Sequence, residues 1–493
     1  MERIIKQTAK GAGITLLGDI LGKVIYLISQ IVVARLLGAK AFGIYALSLA
    51  IFNIVQTLSR MGLSQGVLRY VSIYNGIGDK AKVKGTIIEA TLTSLLLGVT
   101  LGAATFFCAN ILAKILGKPI LIDTVRIVSF GIPFMASMMV ALEATRGFRK
   151  MEYFVYVKNI IHPMVNLTAI ILLYWLGLRL LGALTAWVLS AIVGFIFVLY
   201  FIKRELPEFF RIKACFNLIE LLKFSTPLAF VGILQMLFMR TDIFMLGYFR
   251  SSTEVGIYNA ATQIVIILIM LLMAFNAILA PIVAHLHNSG KIHELNDLFK
   301  VTSKWIFIST APIFIVIIVS AKDILNIFGT KFIEGVPALI MLATFNFISI
   351  SIGPVTQVLI MSGKQRVELY NSIFGFILNV VLNFLFIPNW GIKGAALATG
   401  VSVLVIHLMR LIQVRSLLCL WPFSKKHLKG VTAMMVATFV AILYRRFLAL
   451  NFGYPYSLLT TVIIVGTIFV GILLLLRLDE EDQIILNALR KRR

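Results

Sequence analysis

Apolar residues run in stretches of about 20 along most of this chain, the length a helix rising about 1.5 Å per residue needs to cross ~30 Å of hydrocarbon. Fourteen such stretches are predicted to span, near 11–33, 41–62, 86–113, 120–145, 153–176, 180–202, 221–247, 254–284, 301–320, 335–361, 368–388, 394–414, 431–449 and 457–477. The connections between them are mostly short. The pattern therefore predicts an all-α integral membrane protein with no extramembrane domain on either side.

Composition agrees with the pattern. Of 493 residues, 60% are hydrophobic and 14% charged, far too little polar surface to clothe a soluble globule of this size. The first apolar stretch runs on to about Val33 without an early small-residue cleavage site, so it is expected to be a spanning helix and not a cleaved leader. A net charge of +25 would suggest nucleic acid in a soluble protein, but here the basic residues come in small clusters between apolar spans, so no nucleic-acid partner is expected. With the N-terminus inside, the even-numbered loops and both tails hold 26 Lys and Arg against 9 in the odd-numbered loops. That asymmetry predicts cytoplasmic N- and C-termini. Cys108, Cys215 and Cys419 lie far apart without disulfide or zinc spacing. His285, His287 and His293 sit near Glu294 in a cytoplasmic loop without ligand spacing, so no metal and no cofactor are implied.

The chain also repeats itself at a spacing of 212 to 213 residues. Gly43-Ile44-Tyr45-Ala46 returns as Gly256-Ile257-Tyr258-Asn259, Asn166 as Asn379, and Gly182-Ala183 as Gly394-Ala395, with Ala186 and Ser190 echoed by Ala398 and Ser402. Collinear matches at one offset are what a duplicated architecture leaves after drift. Six spans precede the seam, and six is even, so both halves enter from the same side as parallel repeats. The expected organisation is a six-helix lobe at 1–213, a second at 214–426, and an additional helix pair with a basic cytoplasmic tail at 427–493. The tail, 478–493, begins with Asp479-Glu480-Glu481-Asp482 and ends with Arg490-Lys491-Arg492-Arg493, and is expected either to lie on the inner leaflet or to be a solvated basic end.

The segment from Ala34 to Ala46 resembles the first outer loop of the polysaccharide transporter family, whose superfamily also holds multidrug exporters and peptidoglycan lipid flippases. Thr241 to Tyr248 with Val255 to Ala261, and Asn379 to Asn383 with Ile387 to Thr399, resemble later spans of the same family. The likeness covers most of residues 1–420. It implies two six-helix lobes around a central cavity open alternately to either side, moving a polyprenyl-linked oligosaccharide from the cytoplasmic to the outer leaflet. The additional helix pair departs from the twelve-helix members; in the peptidoglycan-lipid branch a similar pair forms a groove for a lipid tail.

An unpaired anion in hydrocarbon is prohibitively unfavourable, so a phosphate-bearing substrate needs cations along its path. Lys23 is the most central, with Asp19 one turn before it and Gln30 two turns after it on one face of the first span. Asp19 and Lys23 either neutralise each other or face the cavity, where Asp19 is the candidate for proton or sodium coupling. Arg240 is a second candidate cation, on the seventh span; Asp242, about 200° around that helix from it, is expected to pin the loop before Gly247. Lys158 and Arg60 are candidates to meet the head group at the cytoplasmic mouth. His162, one turn from Lys158 and followed by Pro163, is a candidate proton carrier. Asn166 in the fifth span, and Asn379 and Asn383 in the eleventh, form with Gln30 the expected polar lining of the cavity; interhelical amide hydrogen bonds are the other reading. Arg60, Arg126, Glu143 and Arg410 lie nearer span ends, where snorkelling to the interface is the default expectation.

Three functions are consistent with these features. A flippase for polyprenyl-linked oligosaccharide in a prokaryotic plasma membrane, working as a monomer among membrane lipids, fits the intramembrane cations and the resemblance. A cation-coupled multidrug exporter would place more acids than bases in the cavity, as Asp19 and Glu143 could. A glycan polymerase or glycosyltransferase would need a sizeable extramembrane loop or clustered catalytic carboxylates, and neither is visible, so no enzyme is expected. Nothing resembles a nucleotide-binding loop, which argues against direct ATP use.

Overall fold

The computed structural model describes residues 2–209, 211–447, 456–476 and 479, with side chains from Leu17 onward. The described residues form helices and no strands, as the apolar periodicity requires. Backbone contacts group them into two units, Met1–Asn259 and Ala260–Arg493. The first holds α1 (Glu2–Arg60), α2 (Leu63–Gly76), α3 (Lys80–Phe107), α4 (Ala109–Ile115), α5 (Leu121–Ser129), α6 (Ile132–Gly147), α7 (Met151–Val155), a π-helical turn (Tyr156–Ile161), α8 (His162–Trp175), α9 (Arg179–Glu205), α10 (Leu218–Phe249) and the start of α11 (Ser252–Asn288). The second holds the rest of α11, α12 (Ile292–Val319), α13 (Ala321–Asn326), a 3₁₀ turn (Thr330–Gly335), α14 (Val336–Ser351), α15 (Val355–Met361), α16 (Gln365–Leu418), α17 (His427–Phe447) and α18 (Tyr456–Leu475).

Among the described residues eleven helices are long and apolar enough to cross a membrane, or twelve if α5 and α6, bent by 41°, make one span. Two of these take in a pair of predicted spans each. The stretches at 11–33 and 41–62 run together in α1, broken at Gly38, and those at 368–388 and 394–414 run together in α16, broken at Gly391. Both breaks have positive φ, 75° and 53°, which an L side chain rarely adopts and glycine does at little steric penalty. The loops expected at these points are thus reduced to a single residue. The amphipathic α2 lies between predicted spans and was not expected as a helix, because its apolar face is too short to register as a crossing.

The division between units falls at 259/260, later than the repeat seam at 213. Close glycine contacts explain why α10, expected from the sequence in the second lobe, groups with the N-terminal unit. Gly62 and Gly66 make room for Ser225 of α10, and Gly247 of α10 makes room for Leu47. Lys118 donates to the carbonyls of Gly247 and Arg250, satisfying acceptors that the end of α10 leaves open. The two copies of the repeated motif meet backbone to backbone. A Cβ on Gly43 would lie 1.7 Å from the Ser252 carbonyl oxygen and 2.9 Å from the Gly256 nitrogen; one on Gly256 would lie 2.1 Å from the Ala39 oxygen and 2.9 Å from the Gly43 nitrogen.

In the second unit, the additional pair α17 and α18 packs on α12. Ala433, Ala437 and Ala441 form a stripe of small side chains that lets the helices approach, against Ala311, Ile315, Val465 and Phe469. Polar groups hold the pair at both ends. At one end Asp323 accepts from Arg445 and, at 3.0 Å, from Ser457 Oγ. At the other Asp479 accepts from Lys304 Nζ at 3.0 Å and from Lys429 Nζ at 2.6 Å. Apart from Asp479, the tail predicted at 478–493 lies outside the described residues.

Candidate functional site

The site is built where α1 meets the π-helical turn. Gly18 and Gly22, one turn apart, present a bare face on which Val155 and Asn159 rest; a Cβ on Gly22 would sit 2.8 Å from the Asn159 Cα. This close approach brings Asn159 Nδ2 to 2.8 Å from Asp19 Oδ1. The extra residue in the π turn shifts the side-chain register there, and such bulges recur at functional positions. Lys158, on the same turn, is thereby placed within electrostatic reach of Asp19, Lys23, Arg60, Glu143 and Arg146.

Asp19, Lys23, Arg60 and Lys158, singled out from sequence, therefore come together in one cluster. Two further members were not placed with these by sequence reasoning, although Glu143 was weighed as a cavity acid under the exporter reading. Glu143 Oε2 and Arg146 Nη1 pair at 2.9 Å, and both charges act on Lys158. Glu143 lay near a span end, where snorkelling was expected, and Arg146 was counted only among the cytoplasmic charges. Their i, i+3 spacing on α6 was the signal that could have joined them. Phe154 carries two of the cations on its ring, with Arg146 Cζ 5.1 Å and Lys158 Nζ 4.8 Å from the centroid. Arg60 donates to Thr57 Oγ1 at 3.0 Å, while its Nε is buried without a hydrogen-bond partner. The cluster holds four cations, Lys23, Arg60, Arg146 and Lys158, against two carboxylates, Asp19 and Glu143, leaving two positive charges over.

The remaining candidates occupy other places. Arg240 lies on α10, where its charge acts on Asp242 and its Nε is buried without a partner. Asp242 is itself buried, accepting from Tyr258 Oη at 2.6 Å and from the Ile243 amide at 2.8 Å, which ties α10 to the start of α11. His162 meets Ser190 Oγ at 3.1 Å and stands edge-on to Trp187, with ring centroids 5.0 Å apart.

The four amides expected to line an open cavity are enclosed in helix packing instead. Gln30 and Asn166 are each 1% exposed, Asn379 is 1% and Asn383 0%. Buried polar groups favour protein partners, and the pair in the second unit has them. Asn383 donates to the Asn379 carbonyl at 2.8 Å and to its Oδ1 at 3.0 Å, and Asn379 reaches Thr399 at 3.4 Å. In the first unit the Asn166 amide and Gln30 Nε2 face the buried Tyr45 hydroxyl without reaching hydrogen-bond geometry.

A sequence model described as a polysaccharide biosynthesis protein matches residues 8–287, more than half of the chain. The chain belongs to that family. A second model, MatE, matches residues 227–385, which places this family member in the superfamily of multidrug and polysaccharide exporters. An uncharacterised membrane protein of Methanocaldococcus jannaschii is 23% identical over 404 residues, 78% of this chain and 93% of that protein. The probable low-salt glycan biosynthesis flippase Agl15 of Haloferax volcanii is 26% identical over 168 residues, 33% of this chain and 35% of its own. Among solved structures, the lipid II flippase MurJ in an inward closed conformation superposes with a TM-score of 0.73 at 14% identity, covering 93% of this chain and 97% of that one. The chain is thus a multi-pass membrane protein of the polysaccharide biosynthesis family, and its likeness to MurJ is one of fold.

Proposed function

We propose that this protein is a flippase that carries a polyprenyl diphosphate-linked oligosaccharide from the cytoplasmic to the outer leaflet of a prokaryotic plasma membrane by alternating access. The observation that carries this reading is the charge of the cluster around Lys158. Four cations and two carboxylates leave an excess of two positive charges, which complements the two negative charges of a diphosphate diester. A cluster of that sign inside a membrane protein stabilises an anion that hydrocarbon would exclude. Lys23, Lys158 and Arg60 bind the diphosphate, Arg240 provides a further cation on α10, and Asp19 and His162 are the groups through which a proton or sodium gradient couples. The enclosed amides position the helices that carry these charges. The chain works as a monomer of fourteen spans, with the repeat lobes at 1–213 and 214–426 and both termini cytoplasmic; the family resemblance, the basic loops and the two helices broken at Gly38 and Gly391 support this arrangement.

The test is transfer of a prenyl diphospho-sugar across reconstituted vesicles, scored by its accessibility to an outside glycan-modifying enzyme. Lys158→Ala and Lys23→Ala are expected to lower the rate at least tenfold with an unchanged melting profile. Full transfer in the double variant would sink the site. The MatE match and the two carboxylates of the cluster favour one other reading, a cation-coupled exporter of organic cations. It predicts the opposite response: efflux of a lipophilic cation that depends on Asp19 and Glu143 and survives loss of Lys158.

A further inference from the structure

The cluster contains two carboxylates, and they are held differently. Asp19 is fixed from another element, by the amide of Asn159 at 2.8 Å, on a backbone approach that Gly22 makes possible. Glu143 pairs with Arg146 on its own helix, three residues on, and its charge acts on Lys158 and Arg60 without a hydrogen bond to either among the described contacts. Its side chain is 11% exposed, so it is enclosed yet borders open space, and a Glu side chain has three rotatable bonds with which to turn away. Arg146 is 33% exposed and rests on Phe154, a ring it shares with Lys158.

Cations gathered without an anion repel one another, and each is then unpaired in a poorly solvated place. In the empty site Glu143 supplies the anion on the side of Arg146, as Asp19 does beside Asn159. A guanidinium that pairs with a carboxylate presents the same fork of donors to a phosphate. We infer that Glu143 is a placeholder for the substrate: it holds Arg146, Arg60 and Lys158 together while the site is empty, and gives up Arg146 to the incoming diphosphate. This rests on the flippase reading above and adds to it a reason for release. Once the lipid-linked diphosphate leaves, the same carboxylate re-forms its pair, so the cations need not remain bound to product. Glu143 is a positioning residue in this scheme, acting on substrate through Arg146.

The inference is tested by equilibrium binding of a farnesyl diphospho-sugar to the purified full-length protein, beside transport in vesicles. Glu143→Gln removes the competing charge at nearly constant shape, so the probe is expected to bind on the order of tenfold more tightly, while transport slows because release is impaired. Glu143→Asp, which keeps the charge, is expected to bind within about threefold of the unaltered protein. The gain should vanish in an Arg146→Ala background, since coupled groups act non-additively. Unchanged or weaker binding by Glu143→Gln, with the unaltered protein binding normally, would overturn the placeholder. Should Glu143→Gln not fold, Arg146→Ala opens the pair from the other side. It is then expected to bind more weakly and Arg146→Ala with Glu143→Asp to bind no better; tighter binding by Arg146→Ala would refute the scheme. If the unaltered protein binds the probe no better than Lys158→Ala does, the flippase reading itself fails, and the placeholder with it.

Discussion

Tyr45 and Tyr258 show how a repeated residue can keep its place and change its partner. Both are fully buried at matching positions of the two copies of Gly-Ile-Tyr. Tyr258 donates to Asp242 at 2.6 Å, a hydrogen bond to a carboxylate enclosed between α10 and α11. Tyr45 faces the amides of Gln30 and Asn166, at longer range. Removing one partner of a buried hydrogen bond costs about 1–3 kcal/mol, most where the other partner is charged. Tyr258→Phe is therefore expected to lower thermal stability in detergent by about that amount, and Tyr45→Phe by less. Equal losses would show that the Asp242 contact is not what holds this helix junction. The tyrosines were visible in the sequence as a repeat, whereas the difference between them was not, because it depends on which side chain the preceding helix presents. Glu143 and Arg146 make the same point. Their i, i+3 spacing was legible, but nothing local said that Lys158, Arg60 and Asp19 would meet them.

Two kinds of glycine shape the elements. Gly38 breaks α1 at a φ of 75° with no atom within 4 Å of where a Cβ would stand, so only backbone conformation demands it. Gly43, five residues on, is demanded by crowding, since its Cβ position lies 1.7 Å from a carbonyl oxygen. Gly38→Ala should then cost roughly 1–3 kcal/mol, because its φ of 75° and ψ of 169° lie in a region essentially confined to glycine. Gly43→Ala should cost more, about 3 kcal/mol or above, because backbone must move to admit the methyl. Chemical denaturation of the two variants checks the order, and a reversal would mean that the helices at Gly43 and Gly256 can part freely. Both glycines sit in the stretch that pointed to the family. The stretch marked where two apolar runs adjoin; that the runs are one helix with a single-residue break required the fold.

Across the molecule, the additional helix pair is fastened at both ends, to α13 by Asp323 with Arg445 and Ser457, and to α12 by Asp479 with Lys304 and Lys429. Burial alone would raise the Asp479 pKa, but hydrogen bonds from Lys429 and Lys304 outweigh it and hold the carboxyl below its ordinary range. A depressed folded-state pKa stabilises the protein above the unfolded value, and the contribution is lost as pH falls through the folded one. Acidification below the ordinary carboxylate range is thus expected to loosen α17 and α18, read by proteolysis of the C-terminal segment or by amide exchange. Asp479→Asn should show that loosening already at neutral pH, and an Asn variant as protected as the parent at neutral pH would exclude the fastening role. The sequence by itself determined the membrane class, the approximate spans and the family, and it raised the expectation of a duplication and of the loop orientation. Those features reside in composition, periodicity and spacing, which are properties of consecutive residues. The tertiary structure alone decided that Asp19, Lys23, Arg60, Glu143, Arg146 and Lys158 form one cluster, that the amides are enclosed, and that α10 packs with the first unit. The meeting of α1 with the π-helical turn and the packing of α10 follow from where glycines let backbones approach, and such approaches join residues that the chain keeps far apart.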